Sequence, residues 1–256
     1  MTENAYSIAL SVLVPVLLLS AYKVLEWSRK KLQETTVDFP IPKPSSQSHP
    51  CPNENLTSLA FIGLDCEMVG TGRGGYISLL ARCSIVTVKD DGKIHVVYDK
   101  IVRPTKKVTD YRTKYSGITK ELLEGKTVSF EKCQNEVNEI FASYEGKQCV
   151  VVGHALRNDF DVLKIRYPSY LVRDTAKYPR FMRSGRRSQK LRHLVYEHLG
   201  QRIQGSAEGH SSVEDAAAVL MLYRKFQAEW GKFIFLRHLE LFHYHSMCEL
   251  FVVLTF

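Results

Sequence analysis

The sequence predicts an α/β domain, a mixed central β-sheet flanked by helices, with an apolar helix at the N-terminus. Three observations carry that prediction. Short β-rich runs cluster between Leu59 and Val102, strand-like and helix-like runs alternate from Phe130 onward, and an uncharged stretch stands apart at residues 5–22. The chain has 256 residues, 45% hydrophobic and 24% charged, which suits one sizeable domain with an appendage. Its net charge of +8 favours an anionic partner, either nucleic acid or an anionic membrane surface. The six cysteines form no CxxC pair and mostly sit in apolar runs. They read as reduced core thiols, not as a disulfide framework or a zinc site.

Ala5 to Tyr22 is rich in Leu, Val, Ile and Ala and lies between Glu3 and the cations Lys23, Arg29, Lys30 and Lys31. Its length is near the lower limit for a membrane-spanning helix, which tolerates Pro15. The start lacks Lys and Arg and has no clear Ala-x-Ala site, so a cleaved signal fits less well. The expectation is an anchor with a basic flank over residues 1–31, the basic side and the main domain facing the cytosol. Residues 32–57 are rich in Pro and Ser and read as a linker. They end on an N-glycosylation sequon at Asn55.

From Leu59 to Leu64 an apolar run predicts a buried strand. Leu79–Val88 and Ile94–Val102 read as two further strands around a turn at residues 89–92, so that three strands form a meander. Helical spacing runs from Phe130 to Tyr144, another buried strand covers Cys149–Val152, and helices follow at Asp159–Ile165, Leu191–Leu199 and Ser212–Trp230. The globular domain is therefore expected over 58–230. Residues 231–256, rich in Phe, Leu, His and Tyr, form an apolar tail with no assigned role.

Three short segments carry candidate chemistry. Asp65 and Glu67 lie two apart at the end of the first strand, so both carboxylates emerge on one face. A lone pair of this kind is common and usually a solvated surface pair. Asp159 opens a helix, where an acid is also an ordinary helix-start residue. Ser211-Ser-Val-Glu214 matches a capping box, with Ser211 as N-cap, which gives Glu214 a structural role and leaves Asp215 in the first turn. His210 precedes that helix on a loop, and a structural histidine is its alternative reading. Four acids sharing one pocket would repel one another unless cations neutralised them. Hard ions such as Mg²⁺ or Mn²⁺ suit oxygen ligands, and a pair of them can clamp a phosphodiester while His210 serves as general base.

The motifs Asp65-Cys-Glu-Met-Val-Gly70, Leu80-Ala-Arg-Cys-Ser84, Asp110-Tyr-Arg-Thr113, Ser116-Gly-Ile118, Gly153-His-Ala155, Asn158-Asp-Phe160 and Gly209-His-Ser-Ser-Val-Glu-Asp215 recur in order. Over residues 58–230 the chain resembles the DEDDh 3′→5′ exonucleases, in the branch of the apoptosis-enhancing nuclease, interferon-stimulated exonuclease and RNA exonuclease 4. The resemblance implies an RNase H-like exonuclease fold and a 3′→5′ exonuclease that acts on single-stranded RNA or DNA with a free 3′ end and releases nucleoside 5′-monophosphates; the alternative reading is a membrane-tethered nucleic-acid-binding or death-signalling protein without turnover. It implies two ions, Mg²⁺ or Mn²⁺, at Asp65, Glu67, Asp159 and Asp215, with His210 as general base. It further implies Met68 against the terminal nucleotide and Arg112 near the terminal ribose, where a 2′-hydroxyl would favour RNA; a plain surface arginine is the alternative for Arg112. The basic segment Arg180–Lys190 reads either as a substrate funnel or as a solvated, nuclear-localisation-like loop. Family members are mostly nuclear or nucleolar, so the apolar start of this chain departs from them.

Overall fold

The computed structural model describes residues 35–37, 59–89, 91–144, 147–205 and 209–253, with backbone alone for 35–37 and 235–253. The expected anchor at residues 5–22, most of the 32–57 linker and the Asn55 sequon lie outside the described residues. Among the described residues no helix is long and apolar enough to cross a membrane.

The strands are β1 (Thr35–Val37), β2 (Leu59–Thr71), β3 (Ile77–Val88), β4 (Ile94–Ile101), β5 (Val108–Asp110), β6 (Gln148–Gly153) and β7 (Val172–Asp174). They form one mixed sheet in the order β1-β4-β3-β2-β6-β7, with β5 also paired to β2. The expected meander is present: β2, β3 and β4 pair antiparallel in succession. The Gly92 N–H donates to the Lys89 carbonyl at 2.9 Å, closing the turn between β3 and β4. β6 and β7 add parallel to β2 and to each other.

β2 does not stop at Leu64 as its apolar run suggests. It continues to Thr71, because β3 pairs with it along the extra length, from Asp65 opposite Ser84 to Thr71 opposite Ile77. On its other edge β2 is only partly covered. Leu59–Gly63 pair with β6, and Gly70 and Thr71 pair with β5. Between these two partners the edge from Leu64 to Val69 has no strand beside it among the described residues.

Side chains alternate along β2. Ile62, Leu64 and Cys66 enter a core shared with Cys83, Cys133, Val137 and Leu163, built against α3 (Phe130–Ala142) and α4 (Arg157–Leu163). Phe61 and Gly63 face the opposite layer, where α5 (Leu191–Leu199) and α6 (Ser212–Val253) pack. α3 is capped by the Ser129 hydroxyl, which accepts from Lys132 N–H at 3.1 Å. α4 begins two residues earlier than expected and ends at Lys164, which takes the left-handed conformation and so stops the helix before Ile165.

α6 is the central helix. Every residue from Asp215 to Tyr223 is buried, because the sheet covers one side and α5 the other. From Arg224 it turns amphipathic, with Phe226 and Trp230 inside and Arg224, Lys225 and Glu229 outside. Its backbone runs through the expected boundary at 230/231 as far as Val253. The loop at 180–190 contains the short hairpin β8 (Met182–Arg183) and β9 (Arg187–Ser188).

Candidate active site

The two β2 acids meet the first turn of α6. Gly63 makes this approach possible: a Cβ there would lie 2.2 Å from the Ala216 carbonyl oxygen. With no side chain at 63, α6 presses onto the strand and brings Asp215 level with Asp65 and Glu67. Carboxylate oxygens of these three residues lie within 4.8 Å of one another. Glu67 and Asp215 are buried, and Asp65 is partly buried.

Like charges this close oppose ionisation, and so does burial. Burial first, then Asp215, pushes the Glu67 carboxyl up to about 8, against a downward pull from Arg82. Burial raises Asp215 to about 7, against the Gln204 hydrogen bond that favours its charge. Asp65 is raised well above the usual range by burial and by Asp159, Asp215 and Glu67 in turn. Arg82 is shared with Asp99, which holds it with two bonds of 2.8 and 2.9 Å. Glu67 Oε1 and Asp215 Oδ1 are buried without a hydrogen-bond partner. Oxygen-only donors, excess negative charge and two unpartnered oxygens fit hard divalent cations.

Asp159 reaches the site from the other layer. Its Oδ1 accepts the Cys66 N–H at 2.9 Å, in the stretch of β2 where neither β5 nor β6 supplies a partner. This bond gives Asp159 a structural task and sets it beside Asp65 and Glu67. Its carboxylate is outside the three-acid cluster. Burial is the largest influence on it and raises it to about 8.

His210 hangs from the loop before α6. Gly209 has φ +102°, and a Cβ there would strike Gly117 N at 2.5 Å, so this loop lies directly on the turn after α1 (Thr113–Ser116). The His210 N–H donates to the Tyr115 carbonyl at 3.0 Å. Its Nδ1 lies 3.8 Å from Asp215 Oδ2. Burial and then Arg192 hold the imidazole below its ordinary value, against an upward pull from Glu214. The expected capping box does not form its reciprocal bonds. Glu214 Oε2 accepts instead from Gln204 N–H at 3.0 Å, while Gln204 Nε2 donates to Asp215 Oδ2 at 2.9 Å. Glu214 is structural, but its partner is a distant loop that no local pattern announces.

Asp65, Cys66, Glu67, Tyr115, His154, Lys190, Leu191, Arg192, Gln204, His210 and Asp215 line a cavity of ≈ 390 Å³. The sequence does not single out Gln204, Tyr115 or Arg192: Tyr115 falls between the motifs at 110–113 and 116–118 without belonging to either, and Gln204 and Arg192 lie in segments without a motif. His154 belongs to the Gly153-His-Ala155 motif and bonds Thr175 Oγ1 through Nδ1 at 2.9 Å. Met68 and Arg112 are not among the lining residues. Met68 packs against the thiol-side core. Arg112 donates to Ser78 Oγ at 2.9 Å and to the Gly75 carbonyl at 2.7 Å. In the basic loop, Phe181 is a core residue and Arg180 pairs with Glu229 at 2.9 Å, while Lys190 reaches the cavity.

Comparison with known proteins places the chain among nucleases. The family model described as Exonuclease (RNase_T) matches residues 62–223. The apoptosis-enhancing nuclease of Homo sapiens is 41% identical over 193 residues, covering 74% of this chain and 54% of that protein. RNA exonuclease 4 of Neurospora crassa is 44% identical over 167 residues, covering 64% of this chain and 38% of its own length. The chain thus spans about half or less of the length of these two relatives. Among solved structures, the Saccharomyces cerevisiae Pan2 pseudoubiquitin hydrolase–RNA exonuclease module in complex with AACCAA RNA aligns with a TM-score of 0.58. It is 28% identical, over 75% of this chain and 33% of that one.

Proposed function

The chain belongs to the RNase_T exonuclease family, and on that premise we propose that it is a divalent-metal-dependent 3′→5′ exonuclease. It hydrolyses single-stranded nucleic acid, RNA in preference to DNA, to nucleoside 5′-monophosphates. The carrying observation is the meeting of Asp65, Glu67 and Asp215 within 4.8 Å, with His210 Nδ1 3.8 Å from Asp215 Oδ2. An acid cluster needed only for folding would gain nothing from two buried, unpartnered oxygens.

Asp65, Glu67 and Asp215 would hold the metal, with Asp159 alongside. Two Mg²⁺ or Mn²⁺ ions would neutralise these acids, lower the pKa of an attacking water and stabilise the leaving oxygen. The protein's own part is positional. Gln204 orients Asp215, the Tyr115 carbonyl fixes the His210 backbone, and the ring is then free to accept a proton from water at Nε2. Lys190 and Arg192 bring positive charge to the cavity for the phosphate. The net charge of +8 supports a polyanionic substrate, and the RNA-bound Pan2 neighbour supports RNA.

The test is digestion of matched 5′-labelled RNA and DNA single strands with Mg²⁺, Mn²⁺ or chelator. The expected result is a ladder shortening one nucleotide at a time from the 3′ end, faster on RNA and absent with chelator. Internal cuts, or cleavage that survives chelation, overturn the reading. For location, the apolar run at 5–22 supports a membrane anchor with the nuclease domain facing the cytosol. A glycosidase-sensitive mass shift at Asn55 in cells would reverse that orientation.

A further inference from the structure

The turn that joins β2 to β3 presents two large apolar side chains to solvent. Tyr76 is 88% exposed, the most of any large hydrophobic residue described, and Ile77 is 57% exposed. Single exposed apolar residues are ordinary, but this pair sits on a braced turn among unpaired cations. Arg112 takes the left-handed conformation with φ 52° and clamps the turn through the Gly75 carbonyl and Ser78 Oγ. Thr109 Oγ1 donates to the Gly72 carbonyl at 2.8 Å from the other side. The turn therefore presents Tyr76 from a fixed frame, with little ordering left to be done on binding.

Arg73 lies on the turn itself, and Lys106 and Lys107 lead into β5, which pairs with β2 beside it. All three are exposed and have no ion-pair partner among the described residues. Asp110, which packs against Gly75 of the turn, accepts the Arg112 N–H at 2.9 Å. The same Arg112 leads into α1, whose Tyr115 is 63% exposed and lines the catalytic cavity. Four steps along β2 lead from Glu67 to Thr71 at the base of the turn, about 13 Å at the usual strand rise. An exposed ring flanked by unpaired cations a short way from a phosphodiesterase cavity has the chemistry of a stacking platform for a single strand.

We propose that Tyr76 and Ile77, with Arg73, Lys106 and Lys107, form an outlying contact for single-stranded nucleic acid. Tyr76 stacks on an unpaired base upstream of the 3′ end, and the cations meet the adjoining phosphates. The inference rests on the nuclease reading for the direction of the strand. Unlike the cavity, this surface takes no part in the chemistry, so it governs how tightly a longer strand is held and not how fast the bond breaks.

The test is the pair Tyr76→Ala and Ile77→Ser in the full chain, both at exposed positions outside the catalytic cavity. Binding of a fluorescent single strand of about 12 nucleotides is measured by anisotropy in chelator, so that no turnover is needed. The expected loss in affinity is about tenfold. With metal present, KM for that strand should rise by a similar factor at unchanged kcat, while kcat/KM for a dinucleotide stays at the wild-type value. Equal affinity of variant and wild type for the long strand overturns the proposal. So does a variant that alters only self-association or binding to anionic vesicles, because the face would then serve a protein or a membrane. If the wild type binds but never cleaves, the nuclease reading fails, and the anisotropy comparison still decides the surface.

Discussion

Along β2, Asp65 and Glu67 face the first turn of α6, whereas Cys66 between them points into the core with Cys83 and Cys133. Burial acts on both faces in the same direction, towards the neutral form. It pushes the Cys66 thiol up to about 12, which leaves it protonated and inert at any physiological pH. It pushes Glu67 and Asp159 to about 8 and Asp215 to about 7, where neutrality is the wrong state for holding a cation. One strand thus supplies a face at rest and a face under electrostatic stress. Protonation relieves that stress in the metal-free protein, whereas a bound cation relieves it while favouring the ionised carboxylates that burial and mutual repulsion disfavour.

The largest effect should come from removing a member of the stressed face. Asp65→Ala and Asp215→Ala each reduce exonuclease turnover below detection while circular dichroism stays that of the wild type; retained turnover in either would break the contrast. His210→Ala should slow turnover by about 10²–10⁴-fold with metal affinity kept, in line with loss of a general base. Because the imidazole is held below its ordinary value, the acid limb of the wild-type pH–rate profile should lie below that of a free histidine. Gln204→Ala, which frees Asp215 to turn, should weaken metal binding about 10–100-fold by calorimetry, with turnover recovering at high metal concentration.

Smaller effects should appear in stability. In metal-free protein the raised carboxyls keep protons that the unfolded chain has already released. Melting temperature should therefore fall as pH rises from the ordinary carboxylate range towards 8, and added Mn²⁺ should restore it more at pH 8 than at pH 5. Asp215→Asn should raise the metal-free melting temperature at pH 8, and a fall there would show the acids to be structural. Smallest is the thiol face. Cys133→Ala should cost about 1 kcal/mol through the lost sulfur contacts, at all pH values alike, and leave kcat unchanged.

Much of this was legible because it is periodic. The apolar runs of β2, β3, β4 and β6 and the helical spacing of α3 and α5 reveal those elements directly. The onward course of β2 past Leu64 was not, since Asp65-Cys-Glu-Met-Val lacks a uniform apolar run and is held as strand by β3. Gln204 was invisible for a related reason. It sits in a loop with φ 59°, and only the arrival of α6 beside that loop gives its amide and backbone N–H their partners. The capping box misled in the same way: the local pattern named a partner for Glu214, and a residue ten positions away took it.

Two facts about the site are set by the sequence alone. The two-residue period of a strand puts Asp65 and Glu67 on one face, and the helix start at Ser212 puts Asp215 in a first turn. Tertiary structure decided the rest. It set the distance between those two groups through Gly63 against the Ala216 carbonyl, and it gave Asp159 its seat on the Cys66 N–H that no neighbouring strand occupies. Local spacing constrains direction because covalent geometry does, whereas the approach of segments some 90 to 150 residues apart depends on which surfaces pack and which backbone donors remain unpaired.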